Sequence, residues 1–147
     1  MKEIISEKDE PKYRHRIPVQ LRFSDVDRFG HVNNSVYFSL YDLAKTDYLQ
    51  NVLGMGLNPE AVVPVVANIH ADFLQPVFFD DPIAIETTTV HVGNKSFTLR
   101  QRAVNTKTNQ PVCVCQTVLV CFSLKEQAAV SVPDDVKASI VSYESLA

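Results

Sequence analysis

The chain has 147 residues, and at about 150 residues per domain this is one domain, 1–147, with no room for a separate cofactor module. Lys and Arg number 14 against 17 Asp and Glu, for a formal charge of −3, and the 21% charged residues are balanced in sign without long like-charge blocks, which argues against a polyanion-binding surface and so against nucleic acid as a partner. With 46% hydrophobic residues, a chain of this length buries roughly 70% of its unfolded surface, enough for a core without disulfide or metal staples.

Residues 1–16 form a polar lead-in rich in Lys, Glu, Asp and Arg. No run of signal-peptide or membrane-spanning length follows, so the expectation is a cytoplasmic protein with no membrane partner. Ile17, Val19, Leu21 and Phe23 alternate with Pro18, Gln20, Arg22 and Ser24, the period of a half-buried strand with Pro18 at an edge. A polar turn, Asp25 to Asn34, leads into a helical pattern from about Ser35 to Leu53, about 28 Å long at 1.5 Å per residue. Asn33 or Asn34 can cap it, and Gly54 stops it. Many of its polar residues line up in one narrow stripe, Ser35, Ser39, Asp42, Thr46 and Gln50, so the helix is expected to be embraced by other structure on most sides.

Pro59 marks one helical turn across 58–63. The rest is mostly strand. Val65, Ala67, Ile69, Ala71 and Phe73 alternate with polar residues, and strands follow at Ile83 to Val92, Ser96 to Val104 and Val112 to Leu124. Turn signals at Phe79-Asp80-Asp81-Pro82, Gly93-Asn94 and Asn105 to Gln110 separate them. The last strand is apolar on both faces, Val112, Val114, Val118, Val120 and Phe122 on one and Cys113, Cys115, Leu119 and Cys121 on the other. It needs two covers, the central helix and either another subunit or another layer of strands. Three clustered cysteines with no further ligands nearby read as reduced core thiols, not as a metal site. Pro133-Asp134-Asp135 opens a short last helix with Val136, Ile140 and Tyr143 as its apolar face. The expected fold is α+β, a curved antiparallel sheet of about five strands around one long central helix.

Asp25, Asp27, His31, Asn33 and Asn34 form the densest polar cluster, between the first strand and the helix. As structure alone they are turn and cap residues. As a calcium loop, Asp25, Asp27 and Gly30 fit positions one, three and six, but Phe29 and Val36 fall where ligands are needed. As a catalytic site, a carboxylate beside a helix N-terminus faces backbone N–H groups with no intrahelical acceptor. Those donors polarise a carbonyl and stabilise an oxyanion, while the carboxylate attacks it or activates water.

The run Arg22 to Tyr37, Arg-Phe-Ser-Asp-Val-Asp-Arg-Phe-Gly-His-Val-Asn-Asn-Ser-Val-Tyr, resembles the signature of hotdog-fold acyl-CoA thioesterases of the 4-hydroxybenzoyl-CoA thioesterase family. The likeness extends to Phe73-Leu74-Gln75-Pro76, Asp80-Asp81 and Gly93-Asn94-Lys95-Ser96. It implies a sheet wrapped around the helix, a homodimer or homotetramer with shared active sites, and hydrolysis of acyl-CoA or acyl-carrier-protein thioesters without cofactor or metal. By position, Asp27 is the nucleophile or general base. The backbone amides from Val32 to Ser35 meet the thioester carbonyl, and Asn33 or Asn34 shapes the helix start. His31 with the paired asparagines is also similar to plant acyl-carrier-protein thioesterases, which place Asp, Asn and His two residues apart. Phe29 stands where their Asn would be, leaving His31 open between catalysis and holding the loop.

Lys95 and Ser96 sit on a turn that in relatives approaches the phosphates or pantetheine of coenzyme A; otherwise they are a solvated hairpin tip. Tyr37, one turn into the helix, packs or contacts substrate. Arg100 and Arg102 project from one strand face with Thr98, to bind a phosphate or to coat the sheet. His70 and His91 are ordinary strand residues and His15 belongs to the lead-in. Phe73, Phe78 and Phe79 are core residues or line an acyl pocket. The alternatives to hydrolysis are a non-catalytic protein that binds an acyl thioester, and a dehydratase of the same fold.

Overall fold

The computed structural model describes residues 10–56 and 62–144. In chain order the elements are β1 (His15–Val19), a single 3₁₀ turn at Phe23–Asp25, α1 (Asn34–Asn51), β2 (Val62–Phe73), β3 (Ile83–Val92), β4 (Ser96–Asn105), β5 (Gln110–Ser123), β6 (Ala128–Ala129) and α2 (Asp134–Glu144). The sheet runs β1-β3-β4-β5-β2, every pair antiparallel, and the two-residue β6 pairs with the end of β5. This is the α+β arrangement expected, one long helix packed on a curved sheet, with β6 as the strand too short to leave a pattern.

α1 forms where a cap, a period and a stop coincide. Asn33 is the N-cap, its Oδ1 accepting from the Ser35 N–H at 3.1 Å. Tyr37, Leu40, Tyr41, Ala44, Tyr48 and Leu49 then recur every three or four residues and are buried, the stripe that meets the sheet. The Met55 N–H reaches back to the Leu49 carbonyl at 2.8 Å across Gly54, whose φ of 70° is the left-handed ending glycine allows.

Two clusters make the core. One joins Tyr37, Leu40, Tyr41 and Ala44 to Leu21, Val77, Ile85, Ala103, Cys113 and Cys115; the other joins Tyr48, Leu49 and Leu53 to Phe97, Leu99, Leu119, Val136 and Ile140 of α2. Each large side chain fully buried contributes about 1.5–3 kcal/mol. Gln101, buried among them, donates to the Tyr41 carbonyl at 3.1 Å and to Thr87 Oγ1 at 3.0 Å, tying α1 to the middle of the sheet. All three cysteines are free and buried. Burial pushes the Cys113 thiol up to about 12.

Several expectations change. The first strand stops at Val19, and Phe23 lies in the 3₁₀ turn, 83% exposed; the alternation runs on past the residue where Asp25 closes a turn on the Arg22 N–H. α1 is not embraced on most sides. Its polar stripe faces outward together with Phe38 and Leu43, the latter 56% exposed, so the sheet covers one side only. Phe73, Phe78 and Phe79 are not core residues but substantially exposed. On β5 the outward Val118, Val120 and Phe122 are only half-buried, so the second cover is incomplete within one chain. His15 is not a lead-in residue: it is buried on β1, its Nε2 2.6 Å from Asp47 Oδ2. The helical turn expected at 58–63 falls largely outside the described residues, and Val62 and Val63 already belong to β2.

β2 is the free edge of the sheet beside β5. It is twelve residues long, and Val65, Val66 and Ile69 on it are exposed. Among the described residues no helix is long and apolar enough to cross a membrane.

Candidate active site

The Asp27 loop is a closed turn. Val26 and Val32 pair as an isolated antiparallel bridge, and between them Gly30 takes a φ of 81°, a conformation available to glycine without a Cβ clash. The Gly30 N–H donates to the Asp27 carbonyl at 3.0 Å. Asp27 Oδ1 accepts the N–H groups of Phe29, at 2.9 Å, and His31, at 3.2 Å. Two backbone donors thus hold the carboxylate through one oxygen, while among the described residues Oδ2 has no hydrogen-bond partner.

Asp25 supports the loop from behind. It is 3% exposed; its Oδ2 accepts the Arg22 N–H at 2.8 Å and its Oδ1 the Arg22 guanidinium at 3.1 Å. Burial works to raise its carboxyl, but these donors outweigh burial and hold it below the usual carboxylate range. The Asp25 carbonyl takes the Asn33 N–H at 2.9 Å, coupling this turn to the start of α1. From the other side, the Val32 N–H donates to the Val77 carbonyl at 2.7 Å, and the His31 ring stands edge-on to Phe78 with centroids 5.0 Å apart. The Phe78 N–H donates to Asp81 Oδ2 at 2.9 Å, so the Asp-Asp turn holds the segment that clamps the loop.

A cavity of about 220 Å³ lies between this loop, the start of α1 and the end of β2, lined by Asp27, His31, Val32, Asn34 and Tyr37 facing Phe73, Leu74, Gln75 and Pro76. The Tyr37 ring is edge-on to Phe73 with centroids 5.3 Å apart. Burial pushes its hydroxyl up to about 12, so it is a protonated donor at neutral pH. At the helix start, Asn33 accepts both the Ser35 N–H and the Ser35 hydroxyl, at 3.1 and 3.2 Å. The Asn34 N–H has no acceptor among the described residues. A carboxylate oxygen and a helix N-terminus therefore border one small cavity of mixed polar and apolar lining, the arrangement that receives a carbonyl and stabilises the charge developing on its oxygen.

Of the residues singled out in the sequence, Asp27, His31, Val32, Asn34 and Tyr37 line one cavity; Asn33 and Ser35 shape the helix start beside them. Lys95 and Ser96 do not join them. The Lys95 carbonyl accepts the Cys121 N–H at 2.8 Å, whereas Phe73 pairs with Cys113, eight residues away along β5 or roughly 26 Å at 3.3 Å per residue. Sequence reasoning missed Gln75 and the supporting role of Asp81; the Phe-Leu-Gln-Pro and Asp-Asp runs are the only signals that point to them. Among the described residues no three His, Cys, Asp or Glu gather as a metal shell.

A curved antiparallel sheet with one long helix against it, entered through an Asp-bearing loop, defines a hotdog-fold protein. The chain belongs to the Thioesterase-like superfamily, whose profile matches residues 21–140. It is 30% identical over 123 residues, 84% of this chain and 82% of the relative, to the uncharacterized protein YsmA of Bacillus subtilis (strain 168). It is 26% identical over 125 residues, 84% and 92% of the two chains, to the acyl-CoA thioester hydrolase YbgC of Escherichia coli O6:H1. Among solved structures, a thioesterase of Thermus thermophilus, crystallised with coenzyme A and Zn, superposes with a TM-score of 0.79 at 25% identity, covering 92% of this chain and 97% of that one.

Proposed function

We propose that this protein hydrolyses acyl-CoA thioesters to a free acid and a thiol, with Asp27 as nucleophile or general base. The observation that carries the reading is the Asp27 Oδ2, without a hydrogen-bond partner among the described residues, in a cavity that the start of α1 also lines together with Tyr37 and Phe73. In the general-base route, water adds to the thioester carbon and gives its proton to Asp27. The carbonyl oxygen takes up negative charge against the N–H donors at the start of α1. Collapse expels the thiolate, which recovers the proton from Asp27. In the nucleophilic route Oδ2 adds to the thioester carbon and the thiolate is expelled, leaving a mixed anhydride; water then cleaves the anhydride to the free acid and the Asp27 carboxylate, and the proton released goes to the thiolate. The names of the relatives support an acyl-CoA substrate.

The working unit is a homodimer or a larger even assembly. β2 offers twelve residues of free strand edge bearing exposed Val65, Val66 and Ile69, a surface that templates pairing with another strand. A second copy joined there covers the open side of α1. It also offers a way for Lys95 and Ser96 of one copy to approach the Asp27 cavity of the other, which they do not reach within one chain.

The test is thiol release over a panel of acyl-CoA and acyl-carrier-protein thioesters, with the unaltered protein and Asp27→Asn side by side. Turnover that falls by about two to four orders of magnitude in Asp27→Asn, at unchanged melting temperature, is the expected result. Tight binding without thiol release across the panel, or loss of water from the acyl chain without thiol release, overturns it.

A further inference from the structure

A second concavity lies on the other face of the sheet, and no residue of α1 lines it. Its volume is about 740 Å³, within the range of roughly 300–1,000 Å³ that small-molecule sites occupy, and it shares no lining residue with the Asp27 cavity. The floor is one row across three strands: Arg100 of β4 pairs with Thr88 of β3 on one side and Gln116 of β5 on the other. Thr98 stands two residues along from Arg100 on the same face, and Lys12 overhangs from the lead-in.

Two arginines share this face and are treated differently. Arg102 is fully engaged, with Glu86 at 2.9 Å, Glu10 at 3.7 Å and the Tyr13 ring centred 4.4 Å from its guanidinium carbon. Arg100 has no carboxylate within ion-pair distance among the described residues. Its Nη2 donates to the amide oxygen of Gln116 at 3.1 Å, and its buried Nε has no partner among the described residues. Among the described residues the one carboxylate lining the cavity is Glu144, whose oxygens accept from the Tyr48 hydroxyl at 2.7 Å and the Thr88 hydroxyl at 2.8 Å. At the same margin β1 has ended, its last partner on β3 being Thr87, and Val90 is bulged out of the β3–β4 ladder. Beyond Thr87 the side of β3 that faced β1 is therefore without a ladder partner among the described residues, while its other side stays paired with β4.

We infer that this concavity binds a phosphate-bearing organic anion of nucleotide size, with the Arg100 guanidinium and the Lys12 ammonium neutralising the phosphates and the Thr98 hydroxyl donating to them. A guanidinium held flat by Gln116 without a paired carboxylate is a preorganised half of an oxyanion contact. The site stands independently of the chemistry at Asp27. Two sources can supply such an anion, the nucleotide portion of coenzyme A or a free nucleotide.

Calorimetric titration of the full chain with ADP tests the site. ADP binding is expected, weakened about tenfold or more by Arg100→Gln and by Lys12→Gln, and unchanged by Asp27→Asn. Lys12 is exposed on the lead-in, so Lys12→Gln leaves folding intact and keeps the test decisive if Arg100→Gln does not fold. ADP displaced by coenzyme A but not by pantetheine assigns the site to the substrate's own phosphates; ADP that binds alongside saturating coenzyme A assigns it to a separate nucleotide. No ADP binding at millimolar concentration, or binding unaltered in both variants, overturns the proposal.

Discussion

Asp27 and His31 are joined backbone to backbone and backbone to side chain: the Asp27 N–H donates to the His31 carbonyl at 2.8 Å, and the His31 N–H donates to Asp27 Oδ1 at 3.2 Å. His31 therefore positions the carboxylate with its main chain, while its ring packs on Phe78. His31→Asn keeps the main-chain donor and loses only the ring. Its turnover is expected to stay within about tenfold of the unaltered protein, whereas loss of a general acid or base costs about two to four orders of magnitude. Steady-state thiol release and its pH profile decide the matter; a large fall in kcat together with loss of a basic limb would show that the ring takes part in proton transfer.

Much of this is legible before any coordinates. The helix with its Asn cap and Gly stop, three of the four later strands nearly to the residue and the apolar face of α2 all follow from local periodicity and turn chemistry. What escapes depends on long-range contacts. Alternation carries the first strand on to Phe23 because nothing in Leu21-Arg22-Phe23 announces that Asp25 folds back on the Arg22 N–H. His15 reads as part of the lead-in because its partner, Asp47, lies on a distant element. Lys95 and Ser96 belong to the same family resemblance as the Asp27 loop but lie opposite the far end of β5, a separation that only the strand register reveals.

The buried Asp25 makes stability depend on acid. Its folded carboxyl lies below the ordinary value, burial being outweighed by the Arg22 N–H and guanidinium. A depressed carboxylate contributes stability that is present above the unfolded pKa, about 3.9, and is lost as pH falls through the folded value. Asp25→Asn is therefore expected to melt lower than the unaltered protein at pH 7, with the gap narrowing below about pH 4. Thermal melts between neutral and acid pH measure it; a gap independent of pH would assign the loss to packing alone.

The three thiols are expected to be silent in the native state. Cys113 is pushed up to about 12 by burial, and burial likewise raises Cys115 and Cys121. Because the thiolate is the reactive form, a disulfide reagent at pH 8 is expected to label none of the three before unfolding and all three in denaturant. Rapid labelling of one native thiol would reveal local opening around β5.

The free edge of β2 predicts how the assembly breaks. Ile69 sits mid-strand, opposite Thr117 of β5, and is 39% exposed. Ile69→Lys places a charge where a second copy packs, a device by which natural edge strands avoid pairing. Sedimentation is expected to show an even assembly for the unaltered protein and a folded monomer for Ile69→Lys, with thiol release reduced alongside. An unchanged sedimentation coefficient would move the interface to another face.

Asn33 allows the stability of α1 to be separated from its electrostatic role. Its Oδ1 accepts the Ser35 N–H and hydroxyl, so Asn33→Ala removes the cap and is expected to cost about 1 kcal/mol, or about 2–4 °C in melting temperature for a chain of this size. Asn33→Asp keeps an acceptor at the same place and adds a negative charge at the positive end of the helix, so stability is expected to hold or rise. That charge also lies beside the donors assigned to the oxyanion, where it opposes the charge developing in the transition state. The two variants should therefore part company: Asn33→Ala less stable with a modest fall in turnover, Asn33→Asp stable with kcat lowered more than KM is raised. Melting and steady-state kinetics on the pair check this. If Asn33→Asp kept full turnover, the start of α1 would be a structural cap alone, and the stabilisation of the oxyanion would have to come from donors elsewhere around the cavity, the protonated Tyr37 hydroxyl first among them.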